Sequence, residues 1–133
     1  MIEKDVDINE LIDIFNEYKQ NYNPIINEFT KIYCYVLNEK VVSFLVFSVI
    51  YDRAEIIDIF VKPEYRRKHI AQTLINEIIK DYDIINITLE VSEKNESAIK
   101  LYEKMLFKTS PIRQNYYKDS NGLLMINALI SNK

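Results

Sequence analysis

The sequence predicts an α/β (α+β) protein with a mixed, mostly antiparallel sheet, a central parallel strand pair and helices on both faces. Apolar residues recur at helical intervals in some segments and alternate in others. The breaks between the first three predicted strands are short enough for antiparallel hairpins. A later strand–helix–strand order favours parallel pairing through a right-handed crossover.

The first half of the chain predicts helices followed by strands. Asp7 and Glu10 have capping-box spacing, which predicts a helix from about Ile8 to Tyr18. Pro24 favours a second, shorter helix, because proline suits a first helical turn. The polar breaks NEK and DR then separate three predicted strands, over residues 31–37, 41–51 and 54–62.

The second half predicts the crossover and a closing hairpin. Apolar residues follow a helical period from Ile70 and alternate as a strand over residues 84–91. Asn95 is a good N-cap for a further helix. Two final strands, over about 106–117 and 123–130, flank Gly122, the only glycine of the chain.

Composition limits the class of protein. The 133 residues fit one domain spanning 1–133, and 48% hydrophobic with 28% charged residues is a globular composition. We expect a cytoplasmic protein without membrane contact, because neither a bilayer-spanning apolar run nor a secretory signal is visible. A net charge of −3 argues against nucleic-acid binding. One cysteine, Cys34, and one histidine predict neither a disulfide nor a metal site.

The segment EYRRKHIAQ, residues 64–72, lies between a strand ending at Val61 and a helix. Such a junction directs backbone N–H groups and the positive end of a helix dipole to one point, which favours a pyrophosphate. Arg66, Arg67 and Lys68 would add positive charge. A solvated basic helix start is the alternative explanation.

Three motifs resemble the GNAT superfamily of N-acetyltransferases. VKPEYRRKHIA (61–71) is similar to its acetyl-CoA motif, [RQ]-x-x-G-x-[GA]; Arg66 and Ala71 match, whereas His69 replaces the glycine. LEVSEKNESAIKLYEKMLFK (89–108) resembles the second half of the domain, with Leu106 where relatives commonly have glycine. IRQNYYKDSNG (112–122) resembles members that acetylate the N-terminal alanine of a ribosomal protein.

The resemblance implies that the two parallel strands splay apart and admit the pantetheine arm of acetyl-CoA. The implied cofactor-binding residues are Ile59, Phe60 and Val61 for pantetheine, Arg66, the amides of Arg67, Lys68, His69, Ile70, Ala71 and Gln72 for pyrophosphate, and Asn95. If His69 has helical backbone angles, its side chain can point outward and need not block the phosphate. We expect a solvent-facing histidine, and a hydrogen bond from its ring to phosphate is the alternative. We expect Leu106 to cause a local repacking.

Acetyl transfer from a thioester to an amine needs a base and an acid. Glu90 lies opposite the apolar residues of its strand, near the strand end where open sheets place ligands. It also matches the proton acceptor of the resembling enzymes; a solvated strand-end glutamate is the alternative. Tyr102 is the candidate acid, because a phenol is protonated at neutral pH, although packing alone would also explain it.

Tyr116 and Tyr117 are candidates for lining the substrate groove. We therefore expect an acetyl-CoA-dependent enzyme that acetylates a peptide N-terminal α-amine by direct transfer, without a metal. The alternatives are a lysine or small-molecule amine acceptor, and a non-catalytic module of this fold that senses CoA or binds a protein. The sequence does not specify an oligomeric state.

Overall fold

A computed structural model of the protein describes residues 1–4, 6, 8–18, 26–114 and 122–128. Within these residues, strands and α-helices alternate from the fourth strand to the sixth. The strands are β1 (Ile2–Glu3), β2 (Thr30–Leu37), β3 (Lys40–Ile50), β4 (Arg53–Val61), β5 (Asn86–Ser92), β6 (Lys108–Gln114) and β7 (Gly122–Ala128). The α-helices are α1 (Ile8–Tyr18), α2 (Ile70–Asp81) and α3 (Glu96–Lys104). No helix among these residues is long and apolar enough to cross a membrane.

The strands form one mixed sheet in the order β1-β2-β3-β4-β5-β7-β6. Strands β4 and β5, joined through α2, are the parallel pair, and the neighbouring pairs on either side are antiparallel. This arrangement confirms the predicted mostly antiparallel sheet with a central parallel pair.

Apolar side chains on β3 alternate between two cores. Phe44 and Val46 point to the face covered by α1, where they pack with Leu11. Leu45 and Phe47 point to the opposite core, which also contains residues of α2, of α3 and of the α3 C-cap: Leu74, Ile75, Ile78, Tyr102 and Met105. Helices therefore cover both faces, as predicted.

The structure corrects the prediction near the N-terminus in two places. Strand β1 was not predicted, because two residues are too short to show alternation. The Lys4 ammonium beside it pairs with Glu77 at 2.9 Å and with Asp81 at 2.8 Å on α2.

The helix predicted after Pro24 is not present over residues 26–29. There, the Asn27 side chain accepts the Phe29 N–H at 2.8 Å and forms a turn. Asp7 and residues 19–25 lie outside the described residues.

Helix α3 ends in a Schellman motif whose left-handed residue is Leu106, with φ of 68°. The Leu106 N–H donates to the carbonyl of Glu103, and the Phe107 N–H donates to the carbonyl of Tyr102, both at 3.0 Å. Leu106 is 66% exposed, so its side chain projects into solvent and does not cause the repacking that we expected. Leu106 thus has a left-handed backbone that glycine would adopt more readily, and this strained conformation has a free-energy cost.

We expect the substitution Leu106→Gly to stabilise the protein. Left-handed backbone costs a non-glycine residue about 1–2 kcal/mol, and the greater freedom of glycine in the unfolded chain offsets roughly half of the gain. The free energy of unfolding, measured by urea denaturation, should rise by about 0.5–1 kcal/mol. Leu101→Gly, at an exposed site within the same helix, is the control and should lower it by about 1 kcal/mol. An equal or lower stability of Leu106→Gly would contradict this account.

Candidate active site

The parallel strands β4 and β5 separate halfway along their length. Their pairing begins at Arg53 and Asn86 and ends at Ile56 and Leu89. The β3–β4 register shifts at the same point, because Phe47 pairs with Ile56 and Val46 with Asp58, which leaves Ile57 as the extra residue of a β-bulge. The unpaired ends, Ile57–Val61 and Glu90–Ser92, bound what we call the β4–β5 gap.

Backbone groups of β4 point into this gap. The Lys62 N–H donates to the Val42 carbonyl on β3 at 2.9 Å, which sets the alternation of the antiparallel pair. By that alternation, the N–H and C=O groups of Ile59 and Val61 face the gap, whereas those of Phe60 face β3. The Phe60 carbonyl also accepts the buried Ser43 hydroxyl at 2.7 Å. Of the three predicted pantetheine-pairing residues, Ile59 and Val61 can therefore offer backbone groups to an extended amide ligand.

Two side chains of the chain itself contact these gap-facing groups. The Asp58 carboxylate accepts the Ile59 N–H at 2.8 Å. The Arg66 Nε donates to the Val61 carbonyl at 3.1 Å. Sequence reasoning missed Asp58, although it is the only charged residue in the otherwise apolar run IIDIFV.

The loop between β4 and α2 contains two left-handed residues, Arg67 with φ of 64° and His69 with φ of 61°. His69 is therefore not in the helical region; it has the left-handed conformation that glycine tolerates without strain. His69 is the N-cap residue, and its side chain makes no capping hydrogen bond. Its side chain is exposed, as we expected.

The first turn of α2 presents amides that are not used within the helix. The first helical hydrogen bond joins the Thr73 N–H to the His69 carbonyl at 3.0 Å. The N–H groups of Ile70, Ala71 and Gln72 precede it and have no intrahelical acceptor. The side chains of Ile70 and Ala71 are buried, which anchors the turn in the core. This geometry suits an anionic ligand.

Basic side chains surround that turn on the exposed surface. Arg66, Arg67 and Lys68 are all exposed. The Lys68 ammonium lies 5.6 Å from the centre of the Tyr65 ring, a cation–π contact that orients it. Arg66 is turned back toward the end of β4 by its contact with Val61.

Glu90 lies on β5, one residue beyond the last pair with β4. Its neighbours Leu89 and Val91 point into the core shared with α2 and α3. Glu90 therefore points to the opposite face and is partly exposed, as its sequence pattern predicted. Pairing with Leu124 on β7 keeps its backbone in register although β4 has diverged.

Tyr102 lies on α3 with 8% of its surface exposed, and its ring contacts Phe107 edge-on at a centroid distance of 5.8 Å. Burial raises the pKa of Tyr102 to about 12, and the negative charge of Asp58 adds to the effect. The phenol is therefore protonated at neutral pH and can donate a proton. The Schellman motif fixes its position, because the Tyr102 carbonyl accepts the Phe107 N–H.

The remaining candidates have separate outcomes. Asn95 caps α3, since its side-chain oxygen accepts the Ala98 N–H at 3.3 Å. Tyr116 and Tyr117 lie outside the described residues.

Among the described residues, no three histidine, cysteine or acidic side chains lie together as a metal site would require. A cleft of about 760 Å³ lies at the other end of the parallel pair, near Asn86, and does not coincide with the gap.

Comparison with known proteins matches this chain to the acetyltransferase (GNAT) family over residues 6–107. The [ribosomal protein bS18]-alanine N-acetyltransferase of Escherichia coli strain K12 is 33% identical over 88 residues, which are 64% of this chain and 60% of that protein. An N-alpha-acetyltransferase of Saccharolobus solfataricus is 42% identical over 78 residues, which are 56% of this chain and 47% of that protein. The chain thus aligns with about half to three fifths of the length of these relatives.

Solved structures agree on the fold. The crystal structure of the ribosomal-protein-S18-alanine N-acetyltransferase from Escherichia coli has a TM-score of 0.78 at 23% identity and covers 96% of this chain and 92% of its own. A GNAT family acetyltransferase from Elizabethkingia anophelis with acetyl-CoA bound has a TM-score of 0.72 at 17% identity, with 97% of both chains covered. The family match over most of the chain and the splayed parallel pair together establish that this chain belongs to the GNAT acetyltransferase family.

Proposed function

We propose that the protein is an acetyl-CoA-dependent N-acetyltransferase that acetylates the α-amine of a peptide N-terminus by direct transfer. The observation that carries the proposal is the β4–β5 gap, with gap-facing backbone groups on β4 and Glu90 at the start of the unpaired end of β5. A buried, protonated phenol on α3, Tyr102, completes the set of groups that acetyl transfer needs.

The described residues fit acetyl-CoA. The backbone groups of Ile59 and Val61 suit the amides of a pantetheine arm, because they are the unpaired edge of a strand. The free amides of Ile70, Ala71 and Gln72, with the exposed charges of Arg66 to Lys68, suit a pyrophosphate. Bound acetyl-CoA supplies an acetyl group activated as a thioester. Asn95 would add a contact at the start of α3.

Glu90 and Tyr102 are proposed to move the two protons of the reaction. Glu90 takes the proton that the attacking amine loses, through an intervening water. Its carboxylate lies on the sheet face beside the gap and is partly exposed, so both the water and the amine can reach it. Tyr102 gives a proton to the departing sulfur as the carbon–sulfur bond breaks. Burial keeps Tyr102 protonated up to a pH well above neutral, so the acid is available throughout the physiological range.

The named relatives favour a peptide N-terminus as the acceptor. The Escherichia coli protein is named as a [ribosomal protein bS18]-alanine N-acetyltransferase, and the Saccharolobus solfataricus protein as an N-alpha-acetyltransferase. An α-amine has a pKa of about 8, whereas lysine has about 10.4, so a weak carboxylate base suffices for the former. An N-terminal alanine of a small-subunit ribosomal protein is the specific acceptor that we propose, with Tyr116 and Tyr117 lining its groove.

Binding of acetyl-CoA is the first test. Calorimetric titration should give saturable one-to-one binding, after which peptides beginning with Ala or Ser should be acetylated in a mass-spectrometric assay. A peptide with a blocked N-terminus and one internal lysine is the matched control and should remain unmodified. Acetylation of the lysine peptide would identify the acceptor as a side-chain amine, and absence of acetyl-CoA binding would favour a protein-binding module.

Glu90→Gln and Tyr102→Phe should both slow turnover and leave acetyl-CoA affinity nearly intact. General acid and base groups typically contribute about 10²–10⁴-fold, so kcat should fall by at least about 10²-fold in each variant. Glu55→Gln is the control, since Glu55 lies on the same sheet face where β4 and β5 are still paired. Unchanged turnover in both variants would remove the proposed mechanism.

The pH dependence of turnover follows from the same groups. The rate should rise through about pH 8 as the α-amine of the acceptor loses its proton. It should not fall again below about pH 10 through loss of the acid, because the pKa of Tyr102 is raised to about 12. Measurement of kcat between about pH 6 and pH 10 tests the assignment, and a descending limb near pH 9 would contradict it.

His69→Gly should bind acetyl-CoA at least as tightly as the wild type. Glycine adopts the observed left-handed conformation without strain and allows a phosphate to approach the backbone more closely. Calorimetric titration of both proteins with acetyl-CoA compares the two affinities. Weaker binding by the glycine variant would show that the His69 side chain takes part in holding the phosphate.

A further inference from the structure

Two side chains of the protein contact the edge of β4 that is not paired with β5. The Asp58 carboxylate accepts the Ile59 N–H at 2.8 Å, and the Arg66 Nε donates to the Val61 carbonyl at 3.1 Å. Both contacted groups face the β4–β5 gap, where the pairing with β5 has ended. These two side chains therefore occupy the donor and the acceptor that a pantetheine arm would need.

A physical requirement explains why such contacts exist. A splayed strand leaves N–H and C=O groups without the partners that a continuous sheet would give them, and an unsatisfied buried group is costly. The Asp58 contact is partly buried, so solvent alone does not satisfy the Ile59 amide. A carboxylate is also a stronger acceptor than a neutral amide carbonyl, which makes it an effective competitor for that N–H.

Resting on the proposed use of acetyl-CoA, we propose that Asp58 and Arg66 are internal substitutes for the pantetheine arm, displaced each time a CoA ligand enters the gap. Arg66 lies at the start of the basic loop, so leaving Val61 frees its guanidinium for the phosphates. Asp58 gains no such new partner from an anionic ligand. Its contact with Ile59 therefore lowers the affinity for acetyl-CoA and for the product CoA, and favours release of the product.

Asp58 gives the cleaner test, because removing Arg66 would delete a competitor and a phosphate contact together. Asp58→Ala should bind CoA more tightly, by roughly tenfold if the contact is worth about 1.4 kcal/mol. Adenosine 3′,5′-bisphosphate, which lacks the pantetheine arm, should bind the variant and the wild type equally. Asp58→Asn keeps an acceptor oxygen without the charge, so its CoA affinity should fall between those of the wild type and Asp58→Ala. It provides a second variant if Asp58→Ala folds poorly.

Two controls separate this effect from loss of charge and from failure of the proposed function. Glu55→Gln removes a negative charge three residues earlier on β4 and should leave both affinities unchanged. In the ligand-free protein, the Ile59 amide should exchange its hydrogen faster in Asp58→Ala than in the wild type or Glu55→Gln, as read by NMR.

Each outcome is decisive. Tighter CoA binding by Asp58→Ala with faster Ile59 exchange supports the inference, including the case in which only the variant binds CoA detectably. If the wild type binds CoA and Asp58→Ala binds it equally well or more weakly, the inference is overturned and the proposed function stands. Absence of CoA binding by both proteins overturns the proposed function together with the displacement that rests on it.

Discussion

The end of pairing between β4 and β5 at Ile56 and Leu89 is the constraint on which the rest of this molecule depends. Beyond that point each strand is held by its outer neighbour alone, β4 by β3 and β5 by β7. The bulge at Ile57 lies at the same level, and a bulge bends and twists its strand. The sheet can therefore open at its centre without losing its continuity.

Opening a sheet costs hydrogen bonds, and the structure offsets that cost locally. The Ser43 hydroxyl reinforces the β3–β4 side through the Phe60 carbonyl, and Asp58 and Arg66 serve the groups on the gap side. The core beneath the gap remains continuous, because side chains of β4, β5, α2 and α3 pack in a single cluster. A rigid base thus supports an open edge, which is the arrangement that a binding site on a sheet requires.

Periodicity predicted most of the fold, and the features it missed have physical reasons. Strands β2 to β5 and helices α2 and α3 repeat apolar residues often enough to be recognised, to within about two residues at their ends. Strand β1 is too short for any period, and the turn after Asn27 depends on a side-chain contact that apolar patterning does not show. Glu90 could be placed because it lies at a polar position of an alternating strand, whereas Asp58 follows a bulge that no pattern of apolar residues predicts. Tyr116 and Tyr117 were predicted on motif alone and stay predictions.

The two missing glycines bear directly on whether the site is retained. His69 and Leu106 both occupy the left-handed region, with φ of 61° and 68°, although neither side chain favours it. Strained backbone persists only where the surrounding structure fixes it, and here the buried first turn of α2 and the Tyr102–Phe107 contact do so. At both positions the backbone thus has the left-handed conformation that glycine adopts most readily. The strained residues adjoin Tyr102 and the amides that we propose to bind phosphate, so both substitutions leave in place the backbone that the proposed reaction would use.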